Sequence, residues 1–169
     1  MDIKNLIKKS LGALGAFTFC AAMTIGCKSE PDYKTVRQEV MDLHDKVMGD
    51  GEKAVKNRMV LDTLSKVRLK ELKQAKPDLD TTEEKNKINL LIAKLNKADD
   101  NMMDWMHDFQ PDIEGKSNEA AVKYFQGEMI RIKKLDGEYK KALDESDAYL
   151  KKFNLKPASA AAEHDHSKH

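Results

Sequence analysis

Methionine and histidine are the residue types in this chain whose grouping could do chemistry. Past residue 26 there are seven methionines: Met41, Met48, Met59, Met102, Met103, Met106 and Met129. His44 stands close to Met41, and His107 follows Met106. If the chain turns back on itself three times, Met41, Met59, Met102 or Met103, and Met129 come to about one height, with His44 one turn away. Thioether and imidazole are soft to borderline donors, a set that suits Cu(I). Trp105 beside them could add a cation–π contact. His44, Met41, Met102, Met103, Met106 and His107 are therefore candidate copper ligands. Methionine also fills irregular gaps in helical cores, and without any Met-x-x-Met run core packing is the favoured reading. A second set, His164, His166 and His169, flanks Asp165 near the carboxyl end. Such a tract binds transition metals weakly, because ordering a free tail costs about 1–2 kcal/mol per residue.

Other chemistry lacks its residues. There is no Gly-rich phosphate loop, no G-x-S-x-G, no H-E-x-x-H and no Cys–His pair. Carboxylates are plentiful but alternate with lysines at helical spacing, as in Glu71 with Lys66, Lys70 and Lys73. A non-enzymatic role, in binding or scaffolding, is expected. The 169 residues hold 30 Lys and Arg against 29 Asp and Glu, a net charge of +1. That balance argues against a nucleic-acid partner, which needs a basic surplus on one face. Charged residues reach 35% and aromatics only 6%, the profile of long amphipathic helices.

The elements that would position these residues are helices. Pro31, Pro77, Pro111 and Pro157 fall between periodic segments, as helix breakers should. Val36, Val40, Leu43 and Val47 repeat at 4, 3, 4. Ile88, Leu91, Leu95, Ala98, Met102, Trp105 and Phe109 form a second stripe. A third runs through Val122, Phe125, Met129, Ile132, Tyr139, Leu143, Leu150 and Phe153. No stretch alternates long enough for a strand, so the fold is expected to be all-α. Thr81-Thr82-Glu83-Glu84 reads as a capping box, and Ser117 and Asn118 offer caps before Ala120.

Gly49-Asp50-Gly51 is the ambiguous point. Gly49 suits a left-handed helix end and Asp50 a new cap, so a tight hairpin there gives a four-helix antiparallel up-down bundle. Segments 52–76, 82–110 and 118–153 fit side by side. If 32–48 simply continued the first helix it would project roughly 25 Å beyond its neighbours. Folding back buries its apolar face, so the four-helix form is preferred. The alternative is three long helices with the first kinked at Gly49–Gly51, its protruding part pairing with a second molecule. Residues 32–156 form the bundle in either case. Residues 157–169 (from Pro157 through ASAAAEHDHSKH) have no apolar periodicity and are expected to be a disordered His-containing tail.

The amino terminus has a different pattern. Lys4, Lys8 and Lys9 precede an uncharged apolar run, Leu11 to Gly26, followed by Cys27. Sixteen residues are short of the about 20 needed to cross a bilayer. A basic start, a short apolar core and small residues before a cut make a secretory signal over residues 1–26. Thr24-Ile25-Gly26-Cys27 resembles the lipobox of bacterial lipoproteins, with Thr24 where Leu is usual. The resemblance implies that Cys27 carries a diacylglycerol thioether and an acylated amine, and begins the mature chain. It also implies an outer-membrane address, because Lys28 rather than Asp follows the cysteine. Residues 27–31 then serve as a lipidated tether, and the stretch from Lys28 to Asp32 spans roughly 12 Å as a flexible coil. Cys20 would leave with the signal, so the mature chain would have no free thiol. Its charge would be 27 basic against 28 acidic residues. The expected partners are the membrane and another envelope protein or a second copy.

Two internal segments, Met41-Asp42-Leu43-His44-Asp45-Lys46-Val47-Met48 and Ala98-Asp99-Asp100-Asn101-Met102-Met103-Asp104-Trp105-Met106-His107-Asp108-Phe109, resemble parts of small uncharacterised helical lipoproteins often labelled viral A-type inclusion proteins. That label implies no activity and assigns no functional residue. The resemblance does imply that the two segments meet at one end of the bundle.

Overall fold

A computed structural model describes residues 31–157 of the chain. The signal region, Cys27 and the histidines His164, His166 and His169 lie outside the described residues. The described residues form an all-α up-down bundle. Helix α1 is Tyr33–Thr63, continued through a π-helical turn, Leu64–Arg68, into α2, Leu69–Ala75. Helix α3 is Thr81–Asp108 and α4 is Asn118–Lys152. Four helical segments thus trace three rods.

Heptad spacing explains why these helices stay together. In α1 the buried positions are Val36, Val40, Val47, Asp50, Ala54, Asn57 and Leu61, and half-buried Leu43 completes the 4-3-4-3 series. In α3 they are Ile88, Leu91, Leu95, Ala98, Met102 and Trp105. In α4 the series runs Phe125, Glu128, Ile132, Leu135, Tyr139, Ala142, Ser146 and Tyr149. A repeat averaging 3.5 residues keeps one stripe of each helix facing its neighbours over many turns.

Pairings across the bundle set the directions. Tyr33 lies beside Asn118, Lys46 beside Asp136 and Asn57 beside Ser146, so α1 and α4 run parallel. Arg58 meets Asn96 and His44 meets Met106, so α3 runs against α1. The expected fold-back at Gly49–Gly51 is absent, because α1 passes through both glycines as one helix. The reason lies in α4. Its 35 residues, about 52 Å at 1.5 Å per residue, accompany α1 from Tyr33 onward. The connection from Phe109 to Ser117 continues past the end of α3 and packs Phe109 and Ile113 on the core. The apolar face of residues 32–48 is therefore covered by α4, the last turns of α3 and this connection, and needs no fourth antiparallel rod. At Gly51 a Cβ would come into ordinary contact with the Tyr139 ring, 3.4 Å from its hydroxyl.

The break in the first rod falls instead at Leu64–Arg68. Continuing the 4-3 series from Leu61 and Leu64 would bury Arg68, whereas the buried residue is Leu69. One π turn absorbs the extra residue and brings Leu69 and half-buried Leu72 back onto the core face.

Helix ends are capped by side chains. Asp80, not a threonine, caps α3 by accepting from the Thr82 and Glu83 amides at 2.9 and 3.0 Å. The amide of Glu83 above all, with that of Thr82, holds the Asp80 carboxyl below its usual range against the opposing effect of desolvation. Ser117 caps α4 by accepting from Ala120. Asn118 serves α1 instead: its Oδ1 accepts from the Tyr33 amide at 3.0 Å and its Nδ2 donates to the Pro31 carbonyl at 3.1 Å. Helix α4 ends with Asn154 at φ 54° and Leu155 N–H donating to Leu150 O, a Schellman arrangement.

Candidate functional site

The parallel and antiparallel pairings bring the middle of the first half of α1 against the last turns of α3. There Trp105 occupies a core position of its stripe and is 3% exposed. A buried indole N–H needs an acceptor. Glu128 of α4 supplies it, with Nε1 donating to Oε2 at 2.7 Å. The buried carboxylate is itself held by Arg131, whose Nη1 lies 3.2 and 3.3 Å from its two oxygens, and Arg131 Nη2 reaches Asp108 at 3.0 Å. One face of the indole stacks with Phe109 at 4.8 Å between centroids. The ring is thus fixed in position and orientation by three helices.

His44 lies on α1 at the flank of the core stripe, its side chain 17% exposed. Its ring is 5.6 Å from that of Trp105, tilted by 31°. Nδ1 is 3.0 Å from Asp45 Oδ1, and Nε2 is 3.4 Å from Met106 Sδ. Those two contacts use both ring nitrogens.

The other candidate ligands are distributed unevenly. Met102 is 2% exposed and packs in the core, and Met41 is half-buried one turn before His44. Met103 is 62% exposed, and the His107 side chain is 90% exposed with Asp108 3.9 Å away. Both stand on the outer face of α3, apart from the His44–Met106 pair. Met129 is half-buried against the core. Met59 is 66% exposed, and without a hairpin at Gly49–Gly51 it lies about 27 Å along α1 from Met41. Among the described residues no three His, Cys, Asp or Glu side chains converge on a common point. Sequence reasoning missed Asp45 and Glu128. The adjacency of His44 and Asp45 was visible in the sequence, whereas Glu128 meets Trp105 only through the α3–α4 register.

A polar layer crosses the bundle farther along. The Tyr139 hydroxyl donates to Asp99 Oδ1 at 2.7 Å, and Arg58 pairs with the other Asp99 oxygen at 2.9 Å. Burial, and next the hydrogen bond to Asp99, push the Tyr139 phenol far above its usual range, so it remains a neutral donor. Two turns on along α4, Asn57 Nδ2 donates to Ser146 Oγ at 2.8 Å and to Asp147 Oδ1 at 2.6 Å. Lys46 bridges Asp136 and Asp50 nearby. The hydrogen bond to Asp136 raises the Lys46 ammonium above its ordinary value, and the Asp136 carboxyl is lowered by Lys140 and Lys46 despite its partial burial. Every group here has partners on a facing helix or on its own, which is the arrangement of a register lock.

No family model, curated protein or solved structure matches the chain. Among the described residues no helix is long and apolar enough to cross a membrane.

Proposed function

We infer that the chain is a lipid-anchored, non-catalytic helical bundle of the bacterial cell envelope, held at the outer membrane on its periplasmic or surface side and acting through binding or scaffolding. The observation that carries this reading is the amino-terminal pattern: a basic start, an uncharged run from Leu11 to Gly26, and Thr24-Ile25-Gly26-Cys27. Two acyl chains or more anchor far more firmly than one, since each buried methylene contributes about 0.8 kcal/mol.

The geometry around Pro31 gives this anchor a mechanical meaning. Asn118 clamps Pro31 and Tyr33 at the start of α4, beside the α3–α4 connection. Cys27 lies only four residues before Pro31, and an extended chain of that length reaches about 14 Å at most. A bilayer holding Cys27 therefore lies against this end of the bundle. The turn between α2 and α3 stands at the far end, about 60 Å away for rods of this length. The far end and the sides are the surfaces available to a partner, whether another envelope protein or a second copy.

Replacing Cys27 by Ala tests the reading. The variant is expected to move from the membrane fraction to the soluble fraction, with intact-mass analysis of the parent showing a diacylglyceryl and acyl increment on Cys27. Membrane retention of the variant, or an unmodified full-length parent, overturns it.

A further inference from the structure

The contact between His44 and Met106 sets two Lewis bases face to face. Ionised Asp45 can only accept, so its 3.0 Å contact with His44 Nδ1 puts a proton on Nδ1. In the neutral imidazole the other nitrogen then carries a lone pair, and that lone pair faces a thioether sulfur 3.4 Å away that has only lone pairs of its own. Only a second ring proton, donated from Nε2 to Sδ, or a cation can bridge them. We propose that His44 Nε2 and Met106 Sδ form a binding site for a soft monovalent cation, Cu(I) or Ag(I), walled by Trp105.

Three observations beyond composition carry this. The first is distance: metal–nitrogen and metal–sulfur bonds of about 2.0 and 2.3 Å across the observed 3.4 Å subtend about 105° at the metal. That is close to a tetrahedral angle, so the spacing suits an ion held by three or four donors rather than a linear two-coordinate one. The second is the carboxylate behind the imidazole. An outer acceptor on the non-ligating nitrogen fixes tautomer and ring orientation, as it does in metal sites generally. The third is the wall. Trp105 packs beside the imidazole and its N–H is committed to Glu128, so it cannot rotate away. A rigid aromatic ring excludes water and its π face is favourable to a cation.

The donors select the ion class. One imidazole nitrogen and one thioether sulfur are borderline and soft, whereas Mg²⁺ and Ca²⁺ require oxygen. Half-buried Met41 stands one turn before His44 on the same helix and is the next thioether along that side of α1. His44 and Met106 both retain some exposure, so an ion can enter from solvent. The site goes beyond the anchored-bundle reading and stands without it, since it uses only α1 and α3.

Trp105 is the only tryptophan in the chain, so its fluorescence reports on this site alone. The experiment titrates Ag(I), a redox-inert probe for Cu(I), into the full chain with Cys20 and Cys27 replaced by Ser, because their thiols would take the ion first, and into the same chain carrying His164→Ala, His166→Ala and His169→Ala. One equivalent is expected to quench Trp105 in both. Met106→Leu conserves volume and His44→Ala removes the nitrogen; each is expected to weaken the quenching at least tenfold in apparent affinity. Thermal unfolding by circular dichroism checks that both remain folded, and if His44→Ala does not, Met106→Leu decides alone. Quenching that disappears with the tail histidines, or that persists unchanged in Met106→Leu, or no response of Trp105 to Ag(I), overturns the proposal.

Discussion

Helix α1 passes through Gly49 and Gly51 without leaving α-helical hydrogen bonding, while the same rod changes to a π turn at Leu64–Arg68, a stretch with neither glycine nor proline. At the glycines the buried positions on either side, Val47, Asp50 and Ala54, are in phase with α4. Nothing is gained there by a break. At Leu64–Arg68 the apolar positions are out of phase by one residue. Removing that mismatch buries Leu69 and keeps Arg68 in solvent. The comparison teaches that the phase of the core stripe, rather than local helix propensity, decides where a long bundle helix is distorted. Propensity differences are about 1 kcal/mol for a glycine, whereas burying a leucine or stranding an arginine in the core is worth more.

Single-residue deletions break or sharpen this comparison most directly. Val55 is 42% exposed, so its own side chain contributes little, yet deleting it rotates the two halves of α1 by about 100° relative to one another. The expected result is loss of cooperative thermal unfolding, or destabilisation of about 4 kcal/mol or more. A Val55 deletion that melts like the parent contradicts the phase argument. The same deletion at Val67, 53% exposed inside the π turn, removes the mismatch. It is expected to convert the π turn to α-helix and to change stability by no more than about 1 kcal/mol.

Asn57 tests what pins the phase between these two regions. It is fully buried at a core position of α1 and donates to Ser146 and Asp147 of α4. Asn57→Ala leaves those two buried acceptors without this donor and is expected to cost about 2–3 kcal/mol, read as a lower urea midpoint with an unchanged slope. A near-neutral result would mean that the polar layer does not hold the register. The smallest effect belongs to Gly49. A Cβ there meets nothing within 4 Å, so Gly49→Ala is expected to stabilise by about 0.5–1 kcal/mol in thermal melts. Gly51→Ala should gain at least as much, because its Cβ would come into ordinary contact with the Tyr139 ring, 3.4 Å from the hydroxyl. A loss at Gly51 would show that Tyr139 leaves no room for a methyl there.

Much of the fold was legible because helical periodicity and prolines are local signals. The stripe from Ile88 to Trp105 is buried as read, and Ser117 caps α4. The cap of α3 lies one residue earlier than the Thr-Thr-Glu-Glu pattern suggests, because Asp80 reaches two amides at once. Of the two arrangements considered, the structure has the three-rod one, with its distortion at Leu64–Arg68 rather than at Gly49–Gly51. Continued as one helix, residues 32–48 were expected to project into water, but α4, the last turns of α3 and the connection from Phe109 to Ser117 cover them. The candidate site was legible in part for the same reason. Near-adjacent residues such as Met41 with His44, or Met102 with Met106, share a helix face by spacing alone. Met59 was grouped with them only through a hairpin that does not form.

What the sequence by itself determined is the set of helical faces, their breaks at the prolines, and the residue types available as donors. These depend on interactions within a few residues of each other along the chain. Only the tertiary structure decided that α1 continues to Thr63, that a π turn takes up one surplus residue, and that His44 Nε2 faces Met106 Sδ while Met103 and His107 face solvent. Those outcomes depend on the register between helices. That register is set by summed packing along α4 and by cross-helix hydrogen bonds such as Asn57 with Ser146, neither of which has a local signature.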